Sequence, residues 1–239
     1  MRINGKNISA FGARQWRVTF GQPDTKNDTE WIKGSVLPYF SDNSVAFKEL
    51  NVTLLIYGNG REQIRNRISD ITALLLSTAK LELDGYTRKF TGILTKSNVK
   101  EGNDLARHRY QTLELQFDVY EYGQMRSVSA AGSTEITINN PGNVVSPASV
   151  IVTPLVGMAE LTLAGICRDT DGEDIPVTIK NLTTGKSVVI DGIEGIIEED
   201  GSPKDIDIWA LPSLTPGENK ITVSSNRTQI EVQVLPIYY

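Results

Sequence analysis

Residues 61–79 read REQIRNRISDITALLLSTA, the one stretch of this chain with a strong helical stripe. Ile64, Ile68, Ile71 and Leu75 recur at the spacing of a single helix face, with Leu74 beside them and Arg65 and Arg67 on the polar side. Asn59 stands where an N-cap is expected, and Glu62, three residues on, can reach back as a capping box does. At ~1.5 Å per residue such a helix spans about 28 Å. Strands surround it. Gln15–Phe20 (QWRVTF) alternates, with Trp16, Val18 and Phe20 on one face, and in Phe47–Tyr57 Val52, Leu54 and Ile56 alternate with Thr53, Leu55 and Tyr57. In Lys80–Leu94 the pair Asp84-Gly85 predicts a two-residue hairpin. Arg109–Tyr120 (RYQTLELQFDVY) predicts a long strand with Leu113, Leu115, Phe117 and Val119 on its apolar face. The polar stretch Lys96–Arg107 reads as a loop. One helix among strands makes the first part of the chain an α+β domain.

The pattern changes after Ser127–Ser133 (SVSAAGS), a small, polar stretch that reads as a linker. Beyond it no segment shows a helical stripe. Short β-rich runs recur between turn signals: Glu135–Ile138, Ala148–Pro154, Ala159–Cys167, Ile175–Asn181, Ser187–Ile190, Ile206–Ala210, Lys220–Ser224 and Thr228–Leu235. That is the pattern of a β-sandwich. The reading is therefore a mainly β chain, with an α+β domain over residues 1–130 and a β-sandwich over 131–239. Charge divides in the same place: residues 1–132 carry net +4 and residues 133–239 net -9. A net +4 with scattered basic residues is an ordinary solvated surface and not a nucleic-acid footprint.

Several chemistries are excluded or unsupported. The single cysteine, Cys167, rules out an internal disulfide and a Cys-rich zinc site, and the single histidine, His108, rules out a His–His metal pair within one chain. His108 lies in ARHRY and reads as a surface residue rather than a catalytic base. GxSxG is missing, and GNGRE (Gly58–Glu62) lacks the Lys-Ser/Thr ending of a phosphate loop. Asp169–Asp174 (DTDGED) resembles a calcium loop, but an EF-hand starting at Asp169 would need Gly where Asp174 stands and Glu where Lys180 stands, so it reads as an acidic turn. The acidic run Glu198–Asp200 could meet it and hold a cation weakly. No enzyme activity and no cofactor is expected. MRINGKNISAF is not a signal peptide and no apolar run reaches the ~18 residues of a membrane span, so a soluble, non-exported protein is expected.

Trp31–Phe40 (WIKGSVLPYF) is awkward for a core strand, because Gly34 and Pro38 interrupt it while Trp31, Ile32, Val36, Leu37, Tyr39 and Phe40 are large and apolar. It is either an irregular strand on its own core or an arm that packs on a neighbouring subunit.

Two blocks, Asn139–Pro154 (NNPGNVVSPASVIVTP) and Lys186–Ser224 with its Leu214–Asn219 turn (LTPGEN), together with the lone helix after Tyr57, resemble the distal tail protein (Dit) family of long-tailed bacteriophages and prophages. The resemblance covers nearly the whole chain. It implies that the sandwich is galectin-like and that the N-terminal domains form a hexameric ring, six like subunits, at the end of the tail tube. The implied partners are further copies of the chain, the tail-tube protein, the tail-associated hub protein and receptor-binding proteins, with DNA only as cargo passing through the lumen. The implied place is the tail tip of a virion whose parts are made in the bacterial host's cytoplasm. The family's arm would match Trp31–Phe40. The alternative is a carbohydrate- or surface-binding module of the adhesin type. Residues 133–239 contain no His, and their aromatics are Trp209, Tyr238 and Tyr239. Trp209 reads as a core residue more than as a sugar platform.

Overall fold

The computed structural model describes residues 1–22, 25–30, 39–45, 47–101, 109–168, 172–204, 206 and 208–239. The chain divides into two compact units, Met1–Glu121 with Tyr239, and Tyr122–Tyr238. Its fold is mainly β.

The first unit contains β1 (Arg2–Ile3), β2 (Lys6–Asn7), β3 (Ala13–Phe20), β4 (Thr25–Glu30), β5 (Tyr39–Val45), β6 (Lys48–Tyr57), α1 (Arg61–Ala73), β7 (Ala79–Glu82), β8 (Lys89–Glu101) and β9 (Tyr110–Tyr122). All but β4 and β5 join one sheet in the order β2-β1-β7-β8-β9-β6-β3. Antiparallel register sets Leu50 against Phe117, Val52 against Leu115 and Leu54 against Leu113, so the alternating apolar residues of β6 and β9 share a face. All six are buried, and Ile64 and Ile71 of α1 belong to the same cluster. The expected strand in Arg109–Tyr120 is thus present, with one face buried by an amphipathic helix.

Four local expectations are corrected. The helix ends at Ala73 rather than Ala79: Leu74 and Leu75 donate to Ile71 and Thr72 in tight three-residue turns, which frees the chain to enter β7 with Ala79 and Leu81 buried. The N-cap is Gly60, not Asn59, and it is the Gln63 side chain, not Glu62, that reaches back and accepts from the Asn59 N–H at 2.7 Å. Asp84-Gly85 is not a two-residue hairpin. The ladder closes at Glu82 opposite Lys89, because Gln15 clamps the Asp84 backbone at 2.9 and 3.0 Å and Tyr86 packs edge-on against Phe20. Lys96–Glu101 is strand, not loop. The polar side chains of Lys96–Lys100 are exposed, and order comes from bonds to β9 such as Thr95 to the Gln116 carbonyl and Thr112 to the Lys100 carbonyl. Where β8 crosses β9, a Cβ on Gly92 would lie 1.9 Å from the Asp118 carbonyl oxygen, so only glycine permits that approach.

The second unit contains β10 (Arg126–Ala131), β11 (Glu135–Asn140), β12 (Ser146–Pro154), β13 (Met158–Ala164), β14 (Val177–Leu182), β15 (Val188–Asp191), β16 (Ile196–Glu199), β17 (Ser202–Pro203), β18 (Ser213–Leu214), β19 (Gly217–Val223), β20 (Thr228–Val234) and β21 (Ile237–Tyr238). One sheet runs β10-β20-β12-β15-β16-β17, with β18 paired to β12, and the other β11-β19-β13-β14. Val150, Val152, Val188, Ile190, Ile230 and Val232 of the first meet Ile138, Leu161, Leu163, Ile179 and Ile221 of the second in one buried cluster.

The expected linker is strand β10, a six-residue edge in full register with β20, whose small, solvated side chains carry no alternation to read. Conversely, the expected strand Ile206–Ala210 pairs with nothing among the described residues, although Ile206, Ile208 and Ala210 pack on the core. The two turn motifs are locked by buried asparagines. Asn140 accepts from the Gly142 N–H at 2.9 Å and donates to the Leu214 carbonyl at 3.0 Å. Asn219 accepts from the Thr215 N–H and hydroxyl, both at 3.0 Å, and donates to the Thr215 and Gly217 carbonyls at 2.7 and 3.0 Å. Their side chains supply the partners that backbone groups in a buried turn lose from water.

Candidate interaction surfaces

Among the described residues of the first unit, α1 covers one face of the sheet. On the other, register sets Arg17 beside Thr53, Thr53 beside Glu114 and Asn51 beside Gln116. With Thr19, Lys96 and Asn98 these residues line a shallow depression of about 350 Å³. The depression holds two cations, Arg17 and Lys96, against one carboxylate, Glu114. Lys100 donates to Glu114 at 2.7 Å, and this hydrogen bond holds the Glu114 carboxyl below its ordinary value against its desolvation.

A second feature lies along α1, where an open groove of about 760 Å³ is lined by Arg61, Arg65, Ile68, Ala73, Leu76 and Val99 among others. Leu76 is 84% exposed. It falls outside the stripe that buries Ile64 and Ile71 and lies past the helix end, which is the signal the helical reading overlooked.

The third feature is the β4–β5 pair, a two-stranded sheet that joins no other sheet among the described residues. Of the sequence-predicted interface residues, Trp31, Ile32, Val36 and Leu37 lie outside the described residues. Tyr39 and Phe40 open β5, opposite Glu30 and Thr29. A two-stranded ribbon has marginal stability by itself in water, so this one needs a surface to lie on.

Two indoles lie at the surface rather than in a core. Trp209 is 84% exposed, which corrects its reading as a core residue: Ile206 and Ile208 alternate inward, and the residue between Ile208 and Ala210 must then point out. Trp16 is 63% exposed at a register shift between Gln15 and Arg17, where a bulge removes it from the face it was expected to share with Val18 and Phe20.

No constellation for chemistry emerges among the described residues. No group of three His, Cys, Asp or Glu side chains could hold a metal ion there. Arg168 pairs with Asp174 at 3.5 Å, while Asp169 and Asp171 of the acidic turn, and His108, lie outside the described residues. Burial pushes the Cys167 thiol up to about 11, which leaves it without thiolate character near neutrality. No described helix is long and apolar enough to cross a membrane.

This two-unit architecture has been seen before. The Dit protein of phage SPP1, described as a paradigm of the hub of the adsorption apparatus in phages that infect Gram-positive bacteria, superposes over 99% of this chain and 98% of its own, with a TM-score of 0.75 and 13% identity. The chain has the fold of a Dit protein. A component of the phage P2 baseplate in its activated conformation with calcium matches at 0.51, with 9% identity over 96% of this chain and 92% of that one. The same baseplate with strontium matches at 0.50 over 95% and 92%. No protein-family model matches the sequence, and no curated protein matches it. The Dit fold is thus retained here with few shared residues. What carries it in this chain is the helix-covered sheet and the sandwich, with Asn140 and Asn219 locking the turns that the sequence resemblance rests on.

Proposed function

We propose that this chain is a structural, non-enzymatic subunit of a phage tail tip, acting as the hub that joins the tail tube to the baseplate and receptor-binding proteins. The observation that carries this is likeness to a Dit hub protein across both units, at 99% and 98% coverage. In this reading six copies close into a ring at the distal end of the tube, in the virion, after synthesis in the bacterial host. A ring requires a heterologous contact that closes by rotation. The β4–β5 ribbon, with the Trp31–Phe40 segment at its end, is the arm that reaches the next copy. The polar face of the first sheet lines the lumen. The tail-tube protein and the tail-associated hub protein dock on the two sides of the ring.

Light scattering and negative-stain imaging of the purified chain test this. A species of about 158 kDa, six times the 26.3 kDa chain, with ring-shaped particles is expected. A chain that stays monomeric both alone and with a tail-tube protein overturns it.

Exposure of Trp209 supports a second reading, a module that binds a surface carbohydrate on the indole face. Glycan-array binding that disappears in Trp209→Ala is its expected result, and an array without signal removes it.

A further inference from the structure

We infer that Trp209 of one copy of this chain seats in the groove beside α1 of the next copy; the inference rests on the ring reading above and supplies it with a specific contact. Each surface is unsatisfied in the single chain. Trp209 is 84% exposed, with Leu211 at 43% and Ile196 at 47%. A Cβ on Gly195 would lie 4.0 Å from Leu211 Cδ1, so the turn before β16 and Leu211 are neighbours. That turn is held firm, because Asp191 Oδ1 accepts from the Ile193 N–H at 2.7 Å and the Glu194 N–H at 3.3 Å. It presents the Glu194 carboxylate at the surface without a cation partner among the described residues. Leu211 thus has the Glu194 turn as its neighbour, and the exposed Trp209 lies two residues before it in the chain.

The groove is the complement of this Trp209 knob. Arg61, Arg65, Ile68 and Thr72 follow one another at three- and four-residue spacing along α1, with Leu76 one turn further. One end is cationic and the other apolar, with Val99 on the facing strand. Neither Arg61 nor Arg65 pairs with a carboxylate among the described residues. The volume of about 760 Å³ admits an indole with room for its flanking leucine. A tryptophan buries ~150–250 Å² when seated, and an adjacent guanidinium adds a cation–π attraction.

Charge selects the occupant. The residues around the groove belong to a half of net +4 and the knob to a half of net -9. In the ring reading each copy offers two different surfaces to its two neighbours, so the knob that fills a given groove comes from the next copy. Knob and socket are different surfaces, so the contact is heterologous, and in a closed ring every knob finds a socket.

The test is charge exchange read by sedimentation at several concentrations. Arg65→Glu alone and Glu194→Arg alone are each expected to weaken association about tenfold, and the double variant to recover most of it. Trp209→Ala is expected to weaken it at least as much without restoration. All three positions are at the surface, so their melting temperatures should match the parent. A second measurement separates this contact from the ring itself: Ser69→Cys and Leu211→Cys chains, purified apart and mixed, should be joined by a short bis-maleimide, while the buried Cys167 stays silent. Rings that form with wild-type affinity in all single variants, and show no cross-link, overturn the inference and leave the ring standing. A concentrated chain with neither rings nor cross-link overturns both.

Discussion

The two units solve the burial problem in opposite ways. The sandwich turns two sheets inward, so that residues as far apart as Ile136 and Val234 share one closed core. The first unit buries one sheet face under a single helix and leaves the other face polar. A sandwich hides its two inner faces and offers its outer faces, edges and turns. A one-sided sheet is left with a broad, solvated wall, a free helix flank and a ribbon that needs a neighbour. The difference teaches where assembly should be sought: chiefly in the first unit, with the second contributing projecting turns.

The largest effects test whether the two cores are equally self-sufficient. Leu113→Ala in the sheet under the helix and Ile190→Ala in the sandwich should each cost about 3 kcal/mol in denaturant unfolding. A loss well under 1 kcal/mol at Leu113 would mean that the helix covers its sheet only loosely, and the contrast between the units would have to be redrawn.

Next comes the division between folding and assembly. Trp31→Ala and Phe40→Ala should weaken ring formation by about 2 kcal/mol, roughly thirtyfold, as truncated interface anchors do. The monomer's melting temperature should not move. Equal losses in both would place these residues in the unit's own core.

In the sandwich, Asn219→Ala should cost about 2 kcal/mol of stability and leave assembly intact, because four hydrogen bonds around one turn lose their hub. Chemical denaturation alongside sedimentation would show whether this turn also serves a partner.

The smallest effect concerns acid. Desolvation raises the Glu121 carboxyl, but hydrogen bonds and charge from Lys48 and Arg88 outweigh it and hold the group below its ordinary value. Its contribution to stability is therefore complete above the ordinary glutamate pKa and is lost as pH falls through the lowered, folded value. Thermal melts below that pH should show a shallower acid decline in Glu121→Gln. An identical decline would assign the acid sensitivity to other carboxylates.

How much of this was legible in the sequence is clearest at two Asp-Gly pairs. Asp200-Gly201 is a true two-residue hairpin: both residues have positive φ, 52° and 78°, and Glu199 pairs with Ser202. Asp84-Gly85 carries the same dipeptide and closes no such turn, because Gln15 and Phe20, distant in sequence, seize the loop. Local chemistry proposes a turn, and a long-range contact can overrule it. The same logic explains β10 and Lys96–Glu101, whose polar side chains announce a loop while ladder bonds to β20 and β9 make them strands. Of the candidate surfaces, the Trp31–Phe40 segment was singled out by the sequence, where Gly34 and Pro38 interrupt its apolar residues, but residues 31–38 lie outside the described residues. The groove beside α1 was not singled out, since Leu76 and Val99 are ordinary apolar residues until the fold leaves them uncovered.

By itself, the sequence determined the alternation of β6 and β9, the stripe of α1, the β-rich second half and the asparagine turns, because period and side-chain chemistry act within a few residues. Only the tertiary structure decided where the helix stops, which strands form an edge, and which side chains remain in water. Those outcomes depend on hydrogen bonds and burial between segments far apart in the chain, and no local pattern encodes whether a distant partner arrives.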